Sequence, residues 1–260
     1  MIKTVIFDLD DTLAPEMSFV RSGYMAIAQS VAAFRTSGIK ENIYTEAPEG
    51  SFDPGEYREI YNALMDAFYK DPRHVFDSVL YQLQIPYDTD DIKKLVIHYR
   101  NHSIRTDIYK YYDDVKSSLK QLKEKGIRLG ILTDGFVQSQ INKLKALGIT
   151  RVKGNTSPSG DMAGVFDSIM ITAEAGDDFE KPSEKGFLAV CEYLNTTPEE
   201  MLYVGDNPQK DFYIKAKLPI TTARIIRPES VYENADYREG LKEDFRIETL
   251  TELLPVLSRF

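Results

Sequence analysis

The pattern of apolar and polar residues changes character twice along the chain. Residues 5–7, Val-Ile-Phe, form an apolar run that stops at Asp8, which is typical of a short buried strand. From Glu16 to about Arg105, apolar residues recur at three-to-four spacing in four successive stripes. This spacing predicts four helices and no strand in that region.

After Asp113 the pattern alternates between short apolar runs and helical stripes. Strands are predicted at residues 127–132, 168–172 and 201–204, with a further strand at 219–223. Helices are predicted between them, two of which can end at Gly126 and Gly148 because glycine adopts the left-handed conformation that terminates helices. One last helix is predicted from the spacing of Leu250, Leu253, Leu254 and Leu257.

Strands that alternate with helices predict right-handed βαβ units and a parallel sheet. We therefore predict the α/β class, with a Rossmann-like, doubly wound core formed by residues 1–15 and 106–260. Residues 16–105 are predicted to form a helical bundle inserted after the first strand.

Two stretches do not follow this alternation. Residues 152–164 are rich in glycine and make a longer connection than is usual between a helix and a strand. They could form a surface hairpin or a lip over a site, and the pattern favours the hairpin. Residues 228–245 are polar, charged and only weakly periodic, and the sequence suggests no function for them.

Composition and charge narrow the possible partners. Apolar residues make up 42% of the chain and charged residues 28%, which is typical of a globular protein. A net charge of −9 argues against nucleic acid or an anionic membrane as a partner. The single cysteine, Cys191, permits no intramolecular disulfide, and no apolar run approaches the ~18 residues of a membrane span. We expect a cytoplasmic protein.

Polar residues follow the predicted strands where each of them ends. Asp8 and Asp10 follow the first strand, Thr133 follows the second and Asp206 follows the strand at 201–204. Because the carboxyl ends of parallel strands share one edge of a sheet, these residues are expected to converge there with Lys181. Each also has an ordinary structural explanation, such as an Asp-rich turn or a helix cap. Their combination favours a metal and ligand site.

These residues also match four motifs of a known family. Residues 8–12, Asp-Leu-Asp-Asp-Thr, match the first motif, Thr133 the second, Lys181 the third, and residues 205–211, Gly-Asp-Asn-Pro-Gln-Lys-Asp, the fourth. The sequence thus resembles the haloacid dehalogenase (HAD) superfamily over nearly its whole length. The predicted helical insertion resembles the α-helical cap that this family carries between its first and second motifs.

The resemblance implies a role for each motif residue in catalysis. Asp8 would be the nucleophile that forms an aspartyl-phosphate. Asp10 would protonate the leaving alcohol and then deprotonate the attacking water. Thr133, Asp134 and Lys181 would bind the phosphoryl group of the substrate.

A divalent cation is implied as well, because an anionic nucleophile must attack an anionic phosphate. The ligand set would comprise the Asp8 carboxylate, the Asp10 backbone carbonyl and Asp206, and an all-oxygen set suits Mg²⁺. Asp211 would lie near the metal and orient a bound water or Lys181.

The sequence thus predicts an Mg²⁺-dependent phosphatase acting on a small phosphorylated metabolite, such as a sugar phosphate, a sugar-acid phosphate or a nucleotide. Asp10 favours phosphoryl chemistry because the family's dehalogenases need no metal and lack this pattern. A phosphotransferase such as a sugar-phosphate mutase remains an alternative, which net phosphate release would distinguish. A phospho-acceptor signalling receiver is disfavoured because its acceptor lies well inside a compact chain that has no helical insertion.

Overall fold

The computed structural model describes residues 1–149, 151–152, 155–156 and 164–260. The chain divides into two compact units, which we call the core unit and the inserted unit. The core unit comprises Met1–Met17 and Tyr109–Phe260, and the inserted unit comprises Ser18–Ile108.

A six-stranded parallel sheet forms the centre of the core unit. Its strand order is β5-β2-β1-β6-β7-β8, and every neighbouring pair runs parallel. The predicted α/β class with a parallel sheet is therefore confirmed. The strands are β1 (Thr4–Phe7), β2 (Arg128–Thr133), β5 (Ser168–Ile171), β6 (Met201–Gly205), β7 (Thr221–Ile225) and β8 (Phe245–Ile247).

The sheet is doubly wound around β1. The chain proceeds from β1 outward to β2 and β5, then returns to β6 on the other side of β1 and continues outward to β7 and β8. Phe7 lies level with Ile131 of β2 and with Val204 of β6, so the three strands end nearly together. Such a reversal of strand order creates a crevice at the carboxyl ends of the strands, and this crevice is where open α/β sheets bind their ligands.

Helices connect most of the strands of the core unit. Two of them end as predicted, since Gly126 and Gly148 each have a φ of +77°, a left-handed conformation that glycine adopts without strain. The helices are α5 (Val115–Glu124), α6 (Val137–Ala146), α7 (Thr172–Ala175), α8 (Glu184–Tyr193) and α9 (Leu253–Leu257).

The sequence pattern was wrong in three places. The predicted strand at 219–223 lies two residues further along, at Thr221–Ile225, and β8 was not predicted at all. The last helix is a 3₁₀ turn at Leu250–Glu252 followed by α9, rather than one continuous helix. Leucines at positions 250, 253, 254 and 257 are compatible with either helix type, so the sequence alone does not reveal the change from 3₁₀ to α.

Part of the connection predicted at residues 152–164 is described. Two short strands, β3 (Arg151–Val152) and β4 (Asn155–Thr156), pair antiparallel in a separate sheet. Residues 153–154 and 157–163 lie outside the described residues, so the choice between a hairpin and a lip stays a prediction.

The inserted unit contains four α-helices, a short 3₁₀ helix (Lys40–Tyr44) and no strand among its residues. The α-helices are α1 (Glu16–Ser37), of which Ser18 onward belongs to this unit, α2 (Pro54–Lys70), α3 (Val75–Gln82) and α4 (Thr89–Asn101). Buried serine–histidine pairs join α1 to the C-terminal part of α4 and the residues after it, with Ser30 Oγ 2.9 Å from His98 Nε2 and Ser22 Oγ 3.0 Å from His102 Nε2. Across the described residues, no helix combines the length and apolarity needed to cross a bilayer.

Asp91 ties together three parts of the inserted unit. Its carboxylate accepts hydrogen bonds from the backbone N–H of Asp88 at the start of α4, from Tyr44 OH and from Lys40 Nζ at 2.7 Å. The hydrogen bonds from Lys40 and Tyr44 lower the pKa of Asp91 to about 2. Its stabilising effect is therefore present above the ordinary carboxyl pKa of 3.8 and is lost as the pH falls towards 2.

We expect Asp91→Asn to lower the free energy of unfolding by about 1–2 kcal/mol at pH 7, because it removes a charged acceptor from a helix cap and from a lysine. The difference from the wild type should shrink as the pH approaches 2. Urea unfolding followed by circular dichroism at several pH values measures both effects. Asp90→Asn is the matched control, since Asp90 is largely exposed and pairs with Lys94 on the same helix. An equal loss in both variants would contradict this role for Asp91.

Candidate active site

Asp8 lies directly after β1, the strand at which the strand order reverses. Its backbone N–H donates to Val204 O at 2.8 Å, so the hydrogen-bonded ladder between β1 and β6 continues through this residue. One carboxylate oxygen accepts from Leu9 N at 2.8 Å, and the other lies 3.1 Å from Lys181 Nζ. The predicted nucleophile is thus fixed in orientation and contacts a cation.

Lys181 is buried among acidic and polar groups. Its Nζ lies 2.9 Å from Asp211 Oδ1 and 2.8 Å from the hydroxyl of Tyr203, in addition to its contact with Asp8. Burial alone would lower the pKa of Lys181, but the charges of Asp211 and Asp8 outweigh it and raise this pKa well above its ordinary value. Lys181 therefore carries a permanent positive charge in the crevice.

Asp211 and Tyr203 hold this lysine in place. Asp211 is fully buried and accepts from Tyr203 OH at 3.1 Å and from the backbone N–H of Asn207 at 2.9 Å. Tyr203 lies in the middle of β6, and its ring also lies 5.5 Å from Lys181 Nζ. The sequence pattern predicted a role for Asp211 beside Lys181 but none for Tyr203, whose place in an apolar strand is that of an ordinary core residue.

Three carboxylates cluster at this edge of the sheet. Asp8, Asp206 and Asp211 each place an oxygen within 4.8 Å of the others, and all three are buried. Burial raises the pKa of Asp8 to about 7, although Lys181 opposes the shift, and burial together with Asp211 and Asp8 raises the pKa of Asp206 well above its ordinary value. When all three are ionised, these carboxylates carry more negative charge than Lys181 balances, and their oxygen donors fit a hard divalent cation.

The side chain of Asp10 faces a different set of groups. Both of its carboxylate oxygens lie 2.8 Å from Lys143 Nζ, and one of them also accepts from Gln140 Nε2 at 3.0 Å. The Nζ of Lys143 contacts Glu16 Oε2 at 2.7 Å as well. The carboxylate of Asp10 is therefore part of a partly buried charge network beside the acidic cluster.

The two carboxyl groups of this network, Asp10 and Glu16, differ in pKa. Burial would raise the pKa of Asp10, but Lys143 and hydrogen bonds from Glu16, Lys143 and Gln140 outweigh it, so this pKa is lowered. Burial and the charge of Asp10 raise the pKa of Glu16 to about 8. The two carboxyl groups therefore share a proton, which Glu16 binds more tightly than Asp10 does.

Thr133 is the last residue of β2, and Asp134 follows it. Thr133 is buried, and its hydroxyl lies 3.4 Å from Asp134 O. The Asp134 carboxylate accepts from Thr172 Oγ1 at 2.8 Å and from the backbone N–H of Lys181 at 3.1 Å, and it also lies 3.2 Å from Lys210 Nζ. Because its carboxylate is engaged with protein donors, Asp134 joins the ends of neighbouring strands and fixes the loop that carries Lys181.

The polar segment after β7 also contributes to the site. Ser230 Oγ donates to Asp206 Oδ2 at 2.8 Å, and Val231 N lies 3.4 Å from Asp11 Oδ2. Just before them, Arg227 donates to Thr12 O at 3.0 Å and contacts Asp114 at 2.8 Å. Residues 227–231 therefore hold the loop after β1 and the carboxylate of Asp206, a function that weak periodicity could not reveal.

The structure thus places Asp206 in one cluster with Asp8 and Asp211, and the latter two contact Lys181. Asp10, Thr133 and Asp134 lie at the same edge of the sheet. Several groups around the site were missed from the sequence. A signal existed for two of them, since Gln140 and Lys143 share a helix face with buried Leu144, and a lysine on the buried face of a helix is rarely without a partner. The missed residues are Glu16, Gln140, Lys143, Tyr203, Arg227 and Ser230.

A family model of haloacid dehalogenase-like hydrolases matches residues 2–212. Among characterised proteins, the glyceraldehyde 3-phosphate phosphatase of Methanopyrus kandleri is 30% identical over 258 residues, which cover 99% of this chain and 97% of that protein.

Solved structures show the same fold. A HAD phosphatase from Thermococcus onnurineus matches with a TM-score of 0.56 at 22% identity, over 98% of both chains. A 2-haloacid dehalogenase from Pseudomonas syringae matches with a TM-score of 0.54 at 18% identity, over 100% of this chain and 99% of that one. Phosphatases and dehalogenases share the fold, so the choice between these activities depends on the residues of the site.

Proposed function

Since the chain belongs to the haloacid dehalogenase-like hydrolases, we propose that it is a phosphoric monoester hydrolase acting on a small phosphorylated metabolite. The observation that carries this proposal is the contact of Asp8 with Lys181 inside a cluster of buried carboxylates. A nucleophile, a permanent cation and an oxygen-rich cation site together suit attack on an anionic phosphate.

In the first step, a carboxylate oxygen of Asp8 attacks phosphorus, and the bond from phosphorus to the alcohol oxygen breaks. The Asp10–Glu16 pair supplies its shared proton through Asp10 to this leaving oxygen, which departs as the alcohol. In the second step, a water attacks the phosphorus of the aspartyl-phosphate while Asp10 takes the water proton, so that Asp8 is regenerated and inorganic phosphate leaves. Dividing the displacement in this way replaces one difficult step by two easier ones.

The positive charge in the site has two sources in this proposal. Lys181 binds the phosphoryl oxygens, supported by the Thr133 hydroxyl and by backbone N–H groups at Asp134. Mg²⁺ would be held by the carboxylates of Asp8 and Asp206 and the backbone carbonyl of Asp10. When bound, it supplies charge neutralisation for nucleophile and phosphate.

Asp211 and Ser230 orient these charged groups. Asp211 contacts Lys181 and accepts a hydrogen bond from the backbone of Asn207. Ser230 donates to only one carboxylate oxygen of Asp206, Oδ2. Both residues reduce the freedom of groups that contact substrate or metal, and this preorganisation lowers the cost of reaching the transition state.

Substrate selection is assigned in this proposal to the inserted unit, because every motif residue lies in the core unit. The similarity to glyceraldehyde 3-phosphate phosphatase makes a triose phosphate the first compound to test. Other sugar phosphates, sugar-acid phosphates and nucleotides belong in the same panel.

The test is a screen for phosphate release from phosphorylated metabolites, with and without Mg²⁺. We expect at least one monoester to be hydrolysed, with activity that coelutes with the protein in gel filtration and requires Mg²⁺. Conversion of a sugar phosphate to an isomer without phosphate release would indicate a mutase instead. Absence of hydrolysis across the panel, including activated aryl phosphates, would reject the proposed function.

A further inference from the structure

The charge network around Asp10 is built from three separate parts of the core unit. Asp10 lies in the loop after β1, Glu16 is the first residue of α1, and Gln140 and Lys143 lie on α6. The side chain of Lys143 is only 3% exposed. Because lysine is almost never buried without a partner, its burial indicates that it is held by ion pairs. Its ammonium contacts both oxygens of Asp10 and one oxygen of Glu16.

The backbone is shaped to admit this network. Gly135, in the loop between β2 and α6, has a φ of +127°, and a Cβ at this position would come within 2.7 Å of Gln140 Nε2. Because residue 135 has no side chain, the amide of Gln140 has the space it needs to contact Asp10. The loop after Thr133 thus leaves room for Gln140, and Gln140 and Lys143 on the same helix both contact the Asp10 carboxylate.

Glu16 is also fixed independently of its charge. Its backbone N–H donates to Asp11 Oδ1 at 2.9 Å, and Asp11 adopts a left-handed φ of 48° in the same loop. Two carboxylates are thus held close together, with Lys143 between them as the cation. Without this ammonium Asp10 would lose its ion pair, and the loop that carries Asp10 would lose its charged anchor on α6.

We propose that Lys143 is a positioning residue for the proposed phosphatase reaction, holding the carboxylate of Asp10 where it exchanges a proton with the leaving alcohol and the attacking water. This inference rests on the proposed function. Lys143 acts through Asp10 and contacts neither phosphate nor metal. A displacement of about 1 Å of a proton-transfer group can lower the rate by ~10², so losing the anchor should affect turnover without affecting substrate binding.

The test compares Lys143→Met with Lys143→Arg and with Lys145→Met, a control on the exposed face of the same helix. With an alkyl phosphate, Lys143→Met should lower kcat by about 10–100-fold and change KM little, because Asp10 loses its position. Lys143→Arg should restore part of this loss, since a guanidinium also pairs with carboxylates. Lys145→Met should match the wild type.

An activated aryl phosphate separates the two chemical steps. Its leaving group needs no protonation, so the burst of aryl alcohol should survive in Lys143→Met while the subsequent steady-state rate falls. In an Asp10→Asn background, Lys143→Met should add less than a threefold effect, because the group it positions is already absent. An effect of the same size with and without Asp10 would overturn the proposal, as would an unchanged kcat.

Two measurements keep the outcome interpretable. If Lys143→Met alone does not fold, Lys143→Met combined with Glu16→Gln removes the ammonium together with its second carboxyl partner. This double variant then replaces Lys143→Met in every comparison. Urea unfolding of the Lys143→Met and Asp10→Asn single and double variants measures the coupling of the pair without reference to activity, and additive effects would overturn the contact. An inactive wild type would reject the proposed function, whereas an active wild type with an unaffected variant rejects only the role of Lys143.

Discussion

Replacing Asp8 by asparagine is expected to abolish turnover, with a loss of about 10⁴-fold or more, and to prevent formation of the phosphoenzyme. The neutral amide is not a nucleophile towards phosphorus, and the nearby carboxylate of Asp10 is held by Lys143 and Gln140. Phosphate release under saturating substrate measures turnover, and intact-protein mass after acid quenching detects the phosphoenzyme as an added phosphoryl group.

The fold should survive this substitution. Burial raises the pKa of Asp8 to about 7, so folding disfavours its charged form, and Asp211 still contacts Lys181 when residue 8 is neutral. The melting temperature is therefore expected to stay the same or rise. Asp113→Asn, at an exposed position of the same unit, is the control and should keep full activity. Activity above about 1% of wild type that copurifies with the Asp8→Asn protein would refute the covalent mechanism.

Removal of divalent cations is expected to have the second largest effect. A cation at phosphate contributes several kcal/mol of charge stabilisation, so a chelator should lower the rate by ~10²–10⁴ and Mg²⁺ should restore it. Ca²⁺ should bind without restoring activity, because it prefers more ligands at longer distances. Full activity in excess chelator would contradict the proposed cation site.

The stability of the metal-free protein offers a second readout. The pKa of Asp8 is raised from 3.8 to about 7 on folding, so the folded state binds more protons than the unfolded state between these values. This group therefore makes the metal-free protein less stable as the pH rises from about 4 to 7. Mg²⁺ should reverse this loss and raise the melting temperature, since it binds the folded state. Asp206→Asn should weaken the rise, and an equal rise in that variant would place the cation elsewhere.

Much of the fold could be predicted because its determinants are periodic. Strands β1, β2, β5 and β6 are short apolar runs between helical stripes, and this alternation leaves few topologies open. The prediction that Asp8, Thr133 and Asp206 lie at one edge of the sheet required only that the strands run parallel. Strand β8 was missed because Phe245–Ile247 is a three-residue edge strand at the end of a polar stretch, too short to show alternation.

The groups that surround the site were harder to predict, for a physical reason. Periodicity identifies residues that exclude water, whereas Lys143 and Ser230 are polar and acquire partners only through the tertiary fold. In sequence, Lys143 differs from the exposed Lys145 only in sharing a helix face with Leu144, and its contacts with Asp10 and Glu16 are visible only in the structure. Sequence patterns find the residues of a reaction by motif, but not the residues that hold them.

The central position of β1 has a consequence for synthesis of the chain on the ribosome. Thr4 pairs with Arg128 on one side and with Met201 on the other, so the first strand emerges roughly 200 residues before its second neighbour. At about 5–20 residues per second this delay lasts ~10–40 s. Throughout it, the apolar residues Val5, Ile6 and Phe7 have an unpaired edge that can associate with other chains. Chaperones should therefore bind this first strand in nascent chains that end before β6, and release it once β6 has been translated.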